Sequence, residues 1–372
     1  MQKVYYSKDL DSLKNHIGKY DSGKIFVVSG NKSFAASGVK DFIEAGLGLK
    51  DYTAYSDFDP NPQIEDLKRG IALFKEKDYD FIIGAGGGSV IDMAKMISLL
   101  ANQKHEVEDL VSGKYPLVPE KTPLLAIPTT AGAGAEATAF SVIYMNKTKY
   151  SVGNRSILPD MVYLSPAFSL SASPYLTAVT GLDAFSQAVE ALWSVNANEM
   201  SDNFALEAVS LIWENLHQAV HHNEPLAKEN MQTAAYLAGK AINITKTTAP
   251  HALSYGFTIH YNIPHGHAVA LSLPYFFKYN YNVTDKDCND KRGSEYVITK
   301  INMILNLLNT DIKKIDKTLK DFFLTAGINT DISQLINNFN PQLILNSINA
   351  DRLNNNPRQV SRKAIENFLA GK

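Results

Sequence analysis

The chain has one cysteine among its 372 residues, and this scarcity excludes an internal disulfide. Cys288 lies in the charged segment DKDCNDK, and we assign it no functional role. The lack of disulfides is compatible with a reducing compartment, and we expect a cytoplasmic location. The opening residues MQKVYYSKDLDSLK lack the charged start and apolar core of a signal peptide, and the apolar runs are too short to span a membrane.

An excess of charge of either sign is also lacking. Lys and Arg total 36 and Asp and Glu total 38, which gives a net charge of −2 and a pI near 6.5. Such a balance provides no general attraction to nucleic acids or to anionic membranes, so we expect neither as a partner. Apolar residues are plentiful at 45%, enough for a chain of this length to bury a sizeable core in two domains.

The hydrophobic pattern changes near residue 170. Before that point, short strands such as KIFVVSG, YDFIIGAG, PLLAIPTT and MVYLSP alternate with helical segments, which predicts parallel strands joined by crossover helices. After it, apolar residues recur at three- and four-residue spacing, which is typical of helices. We therefore predict an α/β dinucleotide-binding domain over residues 1–170, an all-helical domain over 171–372, and an active site in the cleft between them.

Two strand ends carry small and hydroxyl-bearing residues. The strand FIIGAG runs into glycines 86–88, and a helical pattern begins at Ser89. Glycines let the backbone approach a pyrophosphate, and Ser89 would cap a helix whose free N–H groups favour an anion. The strand PLLAIP runs into Thr129, Thr130 and two further glycines. Two such ends predict a ligand crevice at the carboxyl edge of the sheet, although the same turns also occur without a ligand.

Four polar residues further on are candidate metal ligands. Asp183 and Gln187 stand four apart in an amphipathic run, so their side chains would share one helix face. His251 and His265 follow, the second inside an IPHGH turn. One carboxylate, one amide oxygen and two imidazoles suit a borderline divalent cation such as Fe(II) or Zn(II). The alternative is that each histidine is an ordinary hydrogen-bonded core residue.

These segments together resemble the iron-containing (group III) alcohol dehydrogenase family. GGGSVIDMAK at 86–95 is similar to the pyrophosphate loop of that family, and PTTAGAGAEAT at 128–138 to its second cofactor loop. GLDAFSQAVE at 181–190 and the histidine-containing segment 251–268 resemble its two metal-ligand segments. The resemblance implies a dehydroquinate synthase-like architecture and a nicotinamide cofactor. It also implies a divalent metal held by Asp183, Gln187, His251 and His265. We expect this metal to be Fe(II), with Zn(II) as the alternative.

The departures from the family are specific. The family usually has His where this chain has Gln187, a further His where it has Tyr255, and a Gly-Leu-Gly-like stretch where it has Lys246, Thr247 and Thr248. The run AGKAINITKTTAPHALSY, together with the Gln substitution, is similar to one branch of the family, the phosphonoacetaldehyde reductases. An amide oxygen is a weaker ligand than imidazole, so we expect lower metal affinity than in the His-bearing relatives. The other interpretation is that Gln187 only faces the metal.

The turn after the first buried strand bears on cofactor choice. It reads VVSGNKSF, with Gly30 where NAD-preferring relatives place an acidic residue. Asn31, Lys32 or Ser33 would receive a 2′-phosphate, so we expect NADP(H) to be favoured over NAD(H), unless this is a plain capped turn. The cofactor-binding residues that the resemblance implies are Gly30, Asn31, Lys32, Ser33, Asn61, Gly86, Gly87, Gly88, Ser89, Val90, Asp92, Thr129, Thr130, Thr138 and Lys149.

Cations and hydroxyls near His251 bear on the substrate. By the spacing of the family, the segment from Lys240 to Thr248 leads into the substrate cleft, and cations there suit the acceptor oxygens of a phosphonate. The expected substrate residues are Arg155, Asn243, Lys246 and Thr248. The alternative is that Lys240 and Lys246 simply face solvent.

The resemblance implies an NAD(P)-dependent, metal-containing aldehyde reductase, and we expect phosphonoacetaldehyde to be reduced to 2-hydroxyethylphosphonate. A bound dication would polarise the carbonyl that accepts the hydride. The first alternative is a general primary-alcohol, diol or glycerol dehydrogenase. The others are a dehydroquinate-synthase-like lyase and a non-catalytic binder that has lost its metal. We also expect a homodimer, because the N-terminal segment KVYYS could pair across a symmetry axis.

Overall fold

The structure is a computed structural model that describes residues 2–20, 22–146, 148–348 and 353–371. The chain forms two compact units, Met1–Ala172 and Ser173–Lys372. The first unit contains the strands and the second is helical. This α/β unit followed by a helical unit is the fold class that the hydrophobic pattern predicts.

The first unit is built on a six-stranded sheet. Its strands are β1 (Lys3–Tyr6), β2 (Ile25–Ser29), β3 (Thr53–Tyr55), β4 (Phe81–Gly86), β5 (Leu124–Pro128) and β8 (Met161–Leu164), in the order β1-β8-β5-β4-β2-β3. All the pairings within it are parallel. A separate antiparallel hairpin is formed by β6 (Phe140–Met145) and β7 (Thr148–Gly153).

Helices cover both faces of this sheet. They are α1 (Leu10–Ile17), α2 (Ser33–Ala36), α3 (Val39–Asp41), α4 (Ile64–Phe74), α5 (Gly88–Leu100) and α6 (Val107–Val111), with a π-helical turn at Phe42–Gly46. Strand β2 is buried along its whole length, so its alternate residues serve opposite cores. Phe26 and Val28 pack with α4 and α5, whereas Ile25 and Val27 pack with α1 and α3. Burial on both faces explains why the central strands are continuous apolar runs.

The second unit consists of helices. They are α7 (Pro174–Trp193), α8 (Glu199–His221), α9 (Pro225–Thr245), α10 (Ala249–Tyr261), α11 (His265–Tyr281), α12 (Ser294–Leu307), α13 (Ile315–Thr325), α14 (Ile332–Leu335), α15 (Pro341–Asn346) and α16 (Arg362–Leu369). Helix α7 begins where Ser173 accepts a hydrogen bond from the Leu176 N–H at 3.2 Å, with Pro174 in the first turn. Its residues are buried almost all round, because α8, α9 and α11 pack against it.

One local prediction is wrong, and one element was not predicted. The β6–β7 hairpin was not predicted, because its alternation of apolar and polar residues is weak. The N-terminal segment KVYYS forms β1, which pairs in parallel with β8, Lys3 opposite Met161, and is the edge strand of the sheet, so its pairing across a symmetry axis stays a prediction. Helix α5 begins at Gly88 with Gly87 as its N-cap, so Ser89 lies inside the first turn rather than capping it.

None of the described helices combines the length and the apolar character that a bilayer crossing requires.

The buried carboxyl of Glu136 makes the stability of this fold depend on pH. Glu136 is 4% exposed, and burial raises its pKa from 4.5 to about 7. The folded state therefore holds a proton that the unfolded state releases, so ionisation opposes folding as the pH rises from about 4.5 to 7. We expect Glu136→Gln to stabilise the protein by about 3 kcal/mol at pH 8 and to have little effect near pH 4.5.

Denaturant unfolding of both proteins at the two pH values measures this difference. The matched control is Glu120→Gln, because Glu120 is exposed and its neutralisation should leave the free energy of unfolding unchanged. The same change in stability at both pH values would contradict the assignment of the raised pKa to Glu136.

Candidate active site

The glycine-rich and threonine-rich loops lie side by side at one edge of the sheet. The register pairs Ser29 with Ala85 and Gly86 with Pro128, so β2, β4 and β5 end at the same level. The segments that follow these strands are therefore neighbours at the carboxyl edge, where open α/β sheets bind ligands. The Thr129 N–H donates to the Gly86 carbonyl at 3.0 Å and joins two of the loops directly.

Close packing explains why this edge is glycine-rich. A Cβ atom at Gly86 would lie 2.7 Å from the Val90 side chain, and one at Gly88 would lie 2.8 Å from the Cβ of Ala133. A Cβ at Gly87 would meet the Thr130 hydroxyl at 3.5 Å, an ordinary contact. Glycine at 86 thus lets the end of β4 approach α5, and glycine at 88 lets the start of α5 pack against the threonine loop. The backbone N–H groups at that helix start are available to an anion.

The turn after β2 leaves three of the predicted cofactor residues exposed. Asn31, Lys32 and Ser33 are exposed, and the Gly30 carbonyl accepts from the Phe34 N–H at 3.2 Å as α2 begins. A Cβ at Gly30 would lie 2.3 Å from the Ser33 hydroxyl oxygen. An acidic residue at position 30 would therefore require Ser33 to move.

Asn61, a sequence-predicted cofactor residue, lies next to the start of α5. Its backbone is left-handed, with φ 63°, and its N–H donates to the Ser89 hydroxyl at 3.4 Å. Lys149, another, lies on β7 opposite Tyr144 of the hairpin. Arg155 begins the short 3-10 turn Arg155–Ile157 after the hairpin and is exposed.

Lys95 is a fully buried cation at the end of the GGGSVIDMAK motif, and the sequence alone predicts no role for it. Its ammonium group donates to the Ala135 carbonyl at 2.8 Å, to the Phe140 carbonyl at 2.5 Å and to the Thr138 hydroxyl at 3.1 Å. It also lies 3.5 Å from the Asp92 carboxylate, which accepts the Val142 N–H at 3.0 Å. Burial raises the pKa of Asp92, and the Lys95 charge opposes that effect.

This network ties α5 to the second cofactor loop and to the hairpin. Asp92 and Thr138 were predicted to bind the cofactor, but their side chains are engaged inside the unit. We therefore retain all the predicted residues of these loops as cofactor candidates, and infer that Asp92 and Thr138 also support the loops from inside the unit.

Three of the predicted metal ligands lie together in the second unit. Asp183 on α7, His251 on α10 and His265 at the start of α11 offer one ligand atom each, all within 4.8 Å of one another. The Asp183 carboxylate lies 3.2 Å from Nε2 of His251 and 3.9 Å from Nε2 of His265. Gln187 lies one turn beyond Asp183 on α7 and is 4% exposed.

A close contact between helices places His265. A Cβ atom at Gly266 would lie 2.0 Å from the Val179 carbonyl oxygen and 2.9 Å from the Cβ of Asp183. Only glycine allows the first turn of α11 to approach α7 this closely. The Ser254 hydroxyl is hydrogen-bonded to Nδ1 of His265 at 3.2 Å, and the Tyr255 ring stacks on the imidazole at 5.6 Å between centroids.

Glu190 orients His251, and the sequence analysis does not identify it. Its carboxylate contacts Nδ1 of His251, and it accepts the Thr248 N–H at 2.6 Å and the Thr248 hydroxyl at 2.8 Å. Trp193 donates its indole N–H to that same hydroxyl at 2.9 Å. Glu190 lies seven residues after Asp183 and therefore on the same helix face, and this spacing is visible in the sequence.

The charges around His251 favour its imidazolium form. Burial alone lowers the pKa of this histidine, but the carboxylates of Glu190 and Asp183 outweigh burial and raise it to about 10. The imidazole is therefore held between two carboxylates, one on each nitrogen. A carboxylate on Nδ1 also fixes which nitrogen faces Asp183 and His265, as is usual for metal-binding histidines.

The donor set fits a divalent metal ion. One carboxylate oxygen and two imidazole nitrogens within ligand distance of one another, with a carboxylate behind one imidazole, is a pattern that Zn(II) and Fe(II) sites share. The amide of Gln187 is placed on the same helix as Asp183 and is buried. These residues are therefore suited to hold the metal that the sequence predicts.

The predicted substrate residues of the second unit lie near the start of α10. Thr248 is buried and its hydroxyl is hydrogen-bonded to Glu190 and Trp193, and its role towards the substrate stays a prediction. The ammonium group of Lys240 lies 4.0 Å from the centroid of the Phe204 ring, a cation–π contact with α8. Asn243 lies on α9, two residues before the helix ends.

Lys246 has an unusual backbone conformation. Its φ of 61° and ψ of 175° lie in a region that glycine normally occupies, and such a conformation costs about 1–3 kcal/mol. Hydrogen bonds to its neighbours hold it in place. Asn355 donates from Nδ2 to the carbonyls of Thr245 and Thr247, both at 2.8 Å, and Ser194 donates to the Thr245 carbonyl at 3.0 Å. Lys246 itself is exposed.

Comparison with known families covers both units. The model of the iron-containing alcohol dehydrogenase family matches residues 2–166, and the model of the C-terminal part of Fe-containing alcohol dehydrogenases matches residues 177–371. Together the two matches account for nearly all of the chain.

Individual relatives agree with this result. Long-chain-alcohol dehydrogenase 1 of Geobacillus thermodenitrificans is 34% identical over 275 residues, which is 73% of this chain and 69% of that protein. The NADPH-dependent butanol dehydrogenase of Clostridium saccharobutylicum is 33% identical over 74% of this chain and 72% of its own length. The chain spans about a third of longer relatives, such as aldehyde-alcohol dehydrogenase 2 of Entamoeba histolytica, where 31% of that protein is covered.

Solved structures show the same architecture. The sulfoacetaldehyde reductase of Bifidobacterium kashiwanohense, in complex with NAD+, has a TM-score of 0.88 at 24% identity and covers 100% of this chain and 96% of its own. An iron-containing alcohol dehydrogenase of Thermotoga maritima has a TM-score of 0.81 at 26% identity over 100% of this chain and 97% of its own. On the two family models and these relatives, the chain belongs to the iron-containing alcohol dehydrogenase family.

Proposed function

We propose that this protein reduces a small aldehyde to a primary alcohol with NADPH and one divalent metal ion. We propose Fe(II) as that ion, with Zn(II) as the alternative. Within that class we propose phosphonoacetaldehyde as substrate and 2-hydroxyethylphosphonate as product. The overall reaction consumes one aldehyde, one NADPH and one proton, and gives one alcohol and one NADP+. The cluster of Asp183, His251 and His265, with Glu190 behind it, is the observation that carries the proposal.

The residues of the cluster have distinct tasks. When bound, the cation supplies a Lewis acid for a carbonyl oxygen, and the nicotinamide supplies the hydride. Asp183 would provide the anionic ligand, and His251 and His265 would provide neutral ones, with metal binding displacing the proton from Nε2 of His251. Glu190 holds the His251 ring in one orientation, while Ser254 and Tyr255 do the same for His265. Gln187 completes the set with a neutral amide oxygen.

The proposal for an anionic substrate rests on Lys246. It is an exposed cation five residues before His251, held in a costly backbone conformation that the fold maintains. Strained residues cluster at functional sites. Asn243, on the last turn of α9, adds an amide, and Arg155 is a second candidate cation in the first unit. The sulfoacetaldehyde reductase named above acts on an aldehyde that bears a sulfonate, which supports including oxyanion-bearing aldehydes among the substrates tested.

A general primary-alcohol dehydrogenase is the second candidate. It is favoured by the long-chain-alcohol and butanol dehydrogenases, which are 34% and 33% identical to this chain. In that case uncharged aldehydes would be reduced as efficiently as a phosphonate-bearing one.

Removal of any one of Asp183, His251 or His265 should abolish metal binding. We expect each alanine variant to purify without bound Fe(II) or Zn(II) and to lose nearly all turnover, while its circular dichroism spectrum stays that of the parent. His260→Ala is the matched control, because His260 is exposed on the same helix as His251 but contacts Ser347. Metal content by atomic emission spectroscopy measures the outcome.

Replacing Gln187 by His tests its role in the same assay. Imidazole is the stronger donor, so Gln187→His should bind the metal at least as tightly as the parent. A marked fall in affinity would show that the site is built around the amide.

Full activity in a metal-free His265→Ala protein would refute the metal-dependent mechanism.

The cofactor should be NADPH rather than NADH. Lys32 is exposed in the turn after β2, where its charge would stabilise a 2′-phosphate. We expect a higher kcat/KM with NADPH, and we expect Lys32→Ala to lower that value roughly tenfold, as the loss of one charged hydrogen bond would, while NADH values stay unchanged. Lys40→Ala is the control, because Lys40 is an exposed lysine on the neighbouring helix α3. A clear advantage for NADH would contradict this use of the turn.

Loss of the Lys246 charge should affect one class of substrate. We expect Lys246→Ala to lower kcat/KM for phosphonoacetaldehyde by about tenfold or more and to leave propanal turnover nearly unchanged, because only the phosphonate needs the cation. Lys240→Ala is the matched control, since Lys240 is engaged by the Phe204 ring. Equal losses on both aldehydes would favour the general alcohol dehydrogenase.

A further inference from the structure

We propose that Asn355 is the positioning residue of the Lys246 turn, residues 245–248, and that it thereby sets the preference for aldehydes that bear an oxyanion. The inference rests on the proposed function, because it takes Lys246 as the group that binds the oxyanion. Asn355 lies more than a hundred residues further along the chain, in the segment before α16.

Both the Nδ2 and the Oδ1 group of the Asn355 side chain form hydrogen bonds. Its Nδ2 group donates to the carbonyls of Thr245 and Thr247 at 2.8 Å each. Its Oδ1 atom accepts from Nδ2 of Asn196 at 2.8 Å and lies 3.0 Å from the Ser194 hydroxyl, whose single proton is shared between Oδ1 and the Thr245 carbonyl. Three full hydrogen bonds and this shared one fix the orientation of the amide.

These bonds act on the part of the turn that carries strain. The last carbonyls of a helix lack donors within the helix, and Asn355 donates a hydrogen bond to the carbonyl of Thr245, the last residue of α9. It donates a second one to the carbonyl of Thr247, so both neighbours of Lys246 are held. A lysine with φ 61° and ψ 175° keeps that conformation only while its surroundings enforce it. Without the two Nδ2 bonds, we expect Lys246 to relax to a negative φ, which would redirect its side chain.

The metal ligand that follows the turn is held independently. Both the N–H and the hydroxyl of Thr248 are bound by Glu190, whose other oxygen contacts His251. The start of α10 is therefore fixed by α7, whatever happens to Lys246. Loss of the Asn355 amide should thus weaken oxyanion recognition much more than metal binding.

Asn355→Ala tests this proposal, with Asn196→Ala as the matched asparagine-to-alanine control. The control removes a partner of Asn355 Oδ1 but leaves both Nδ2 bonds to the turn. In the NADPH- and metal-loaded protein, we expect Asn355→Ala to weaken methylphosphonate binding by about tenfold, measured by calorimetry. The KM for phosphonoacetaldehyde should rise, while metal content and the kcat/KM for propanal stay at parental values. Asn196→Ala should match the parent throughout.

A second pair of variants tests the strain even if Asn355→Ala does not fold. Lys246→Gly and Lys246→Ala both remove the ammonium group, but only glycine adopts a positive φ without cost. We expect the glycine variant to melt a few degrees above the alanine variant. In the Asn355→Ala background this difference should shrink, because the turn is no longer held.

The outcomes separate this inference from the proposed function. Equal loss on both aldehydes in Asn355→Ala, with unchanged methylphosphonate affinity, would show that Asn355 is merely structural and would overturn the proposal. Failure of the parent to bind methylphosphonate, or equal melting temperatures for the two Lys246 variants, would overturn it as well. If the parent reduces no aldehyde, the proposed function fails, and the methylphosphonate measurements still decide the role of Asn355.

Discussion

Helix α7 carries two carboxylates that contact the same imidazole from opposite sides. Asp183 and Glu190 are seven residues apart, about two helical turns, so both project from one face of the helix towards His251 on α10. Burying two carboxylates is costly unless each is paired and hydrogen-bonded. Here the imidazole pairs with both, and Thr248 gives Glu190 two more hydrogen bonds. The position of α10 follows from this pairing, and the close contact at Gly266 positions α11 beside it.

The first unit is organised by a different principle, which is close packing of backbone. Parallel strands that end at one level bring their loops together, and Gly88 lets the start of α5 pack against the threonine loop. The buried ammonium group of Lys95 ties α5 to the segment from Ala135 to Phe140. The loops that we propose for the cofactor thus rely on backbone groups and one internal cation, whereas the proposed metal site relies on side-chain donors.

Under the proposed function, stability and substrate recognition oppose each other in the Lys246 turn. A glycine at this position would satisfy the backbone without strain, and relatives of the family place a Gly-Leu-Gly-like stretch here. This chain instead has a lysine and supplies hydrogen bonds from Asn355 and Ser194 to its neighbours. The stability of the helical unit offsets the conformational free energy of this strain, and the ammonium group of Lys246 is held in a defined place. This division is typical of functional sites in stable scaffolds.

Local patterns in the sequence determined the strands, the long helices, the two glycine and threonine loops and the residue types of the metal cluster, because periodicity and turn chemistry act over a few residues. The tertiary structure alone decided which partners those residues have. Glu190 was within reach of a sequence argument, since it shares a helix face with Asp183. Asn355 was not, because it contacts a turn 108 residues away and no local pattern marks it. The same holds for the hydrogen bond from the Thr248 hydroxyl to Glu190, which no local pattern predicts. Hydrogen bonds between distant segments depend on how helices pack, and that information is spread over the whole chain.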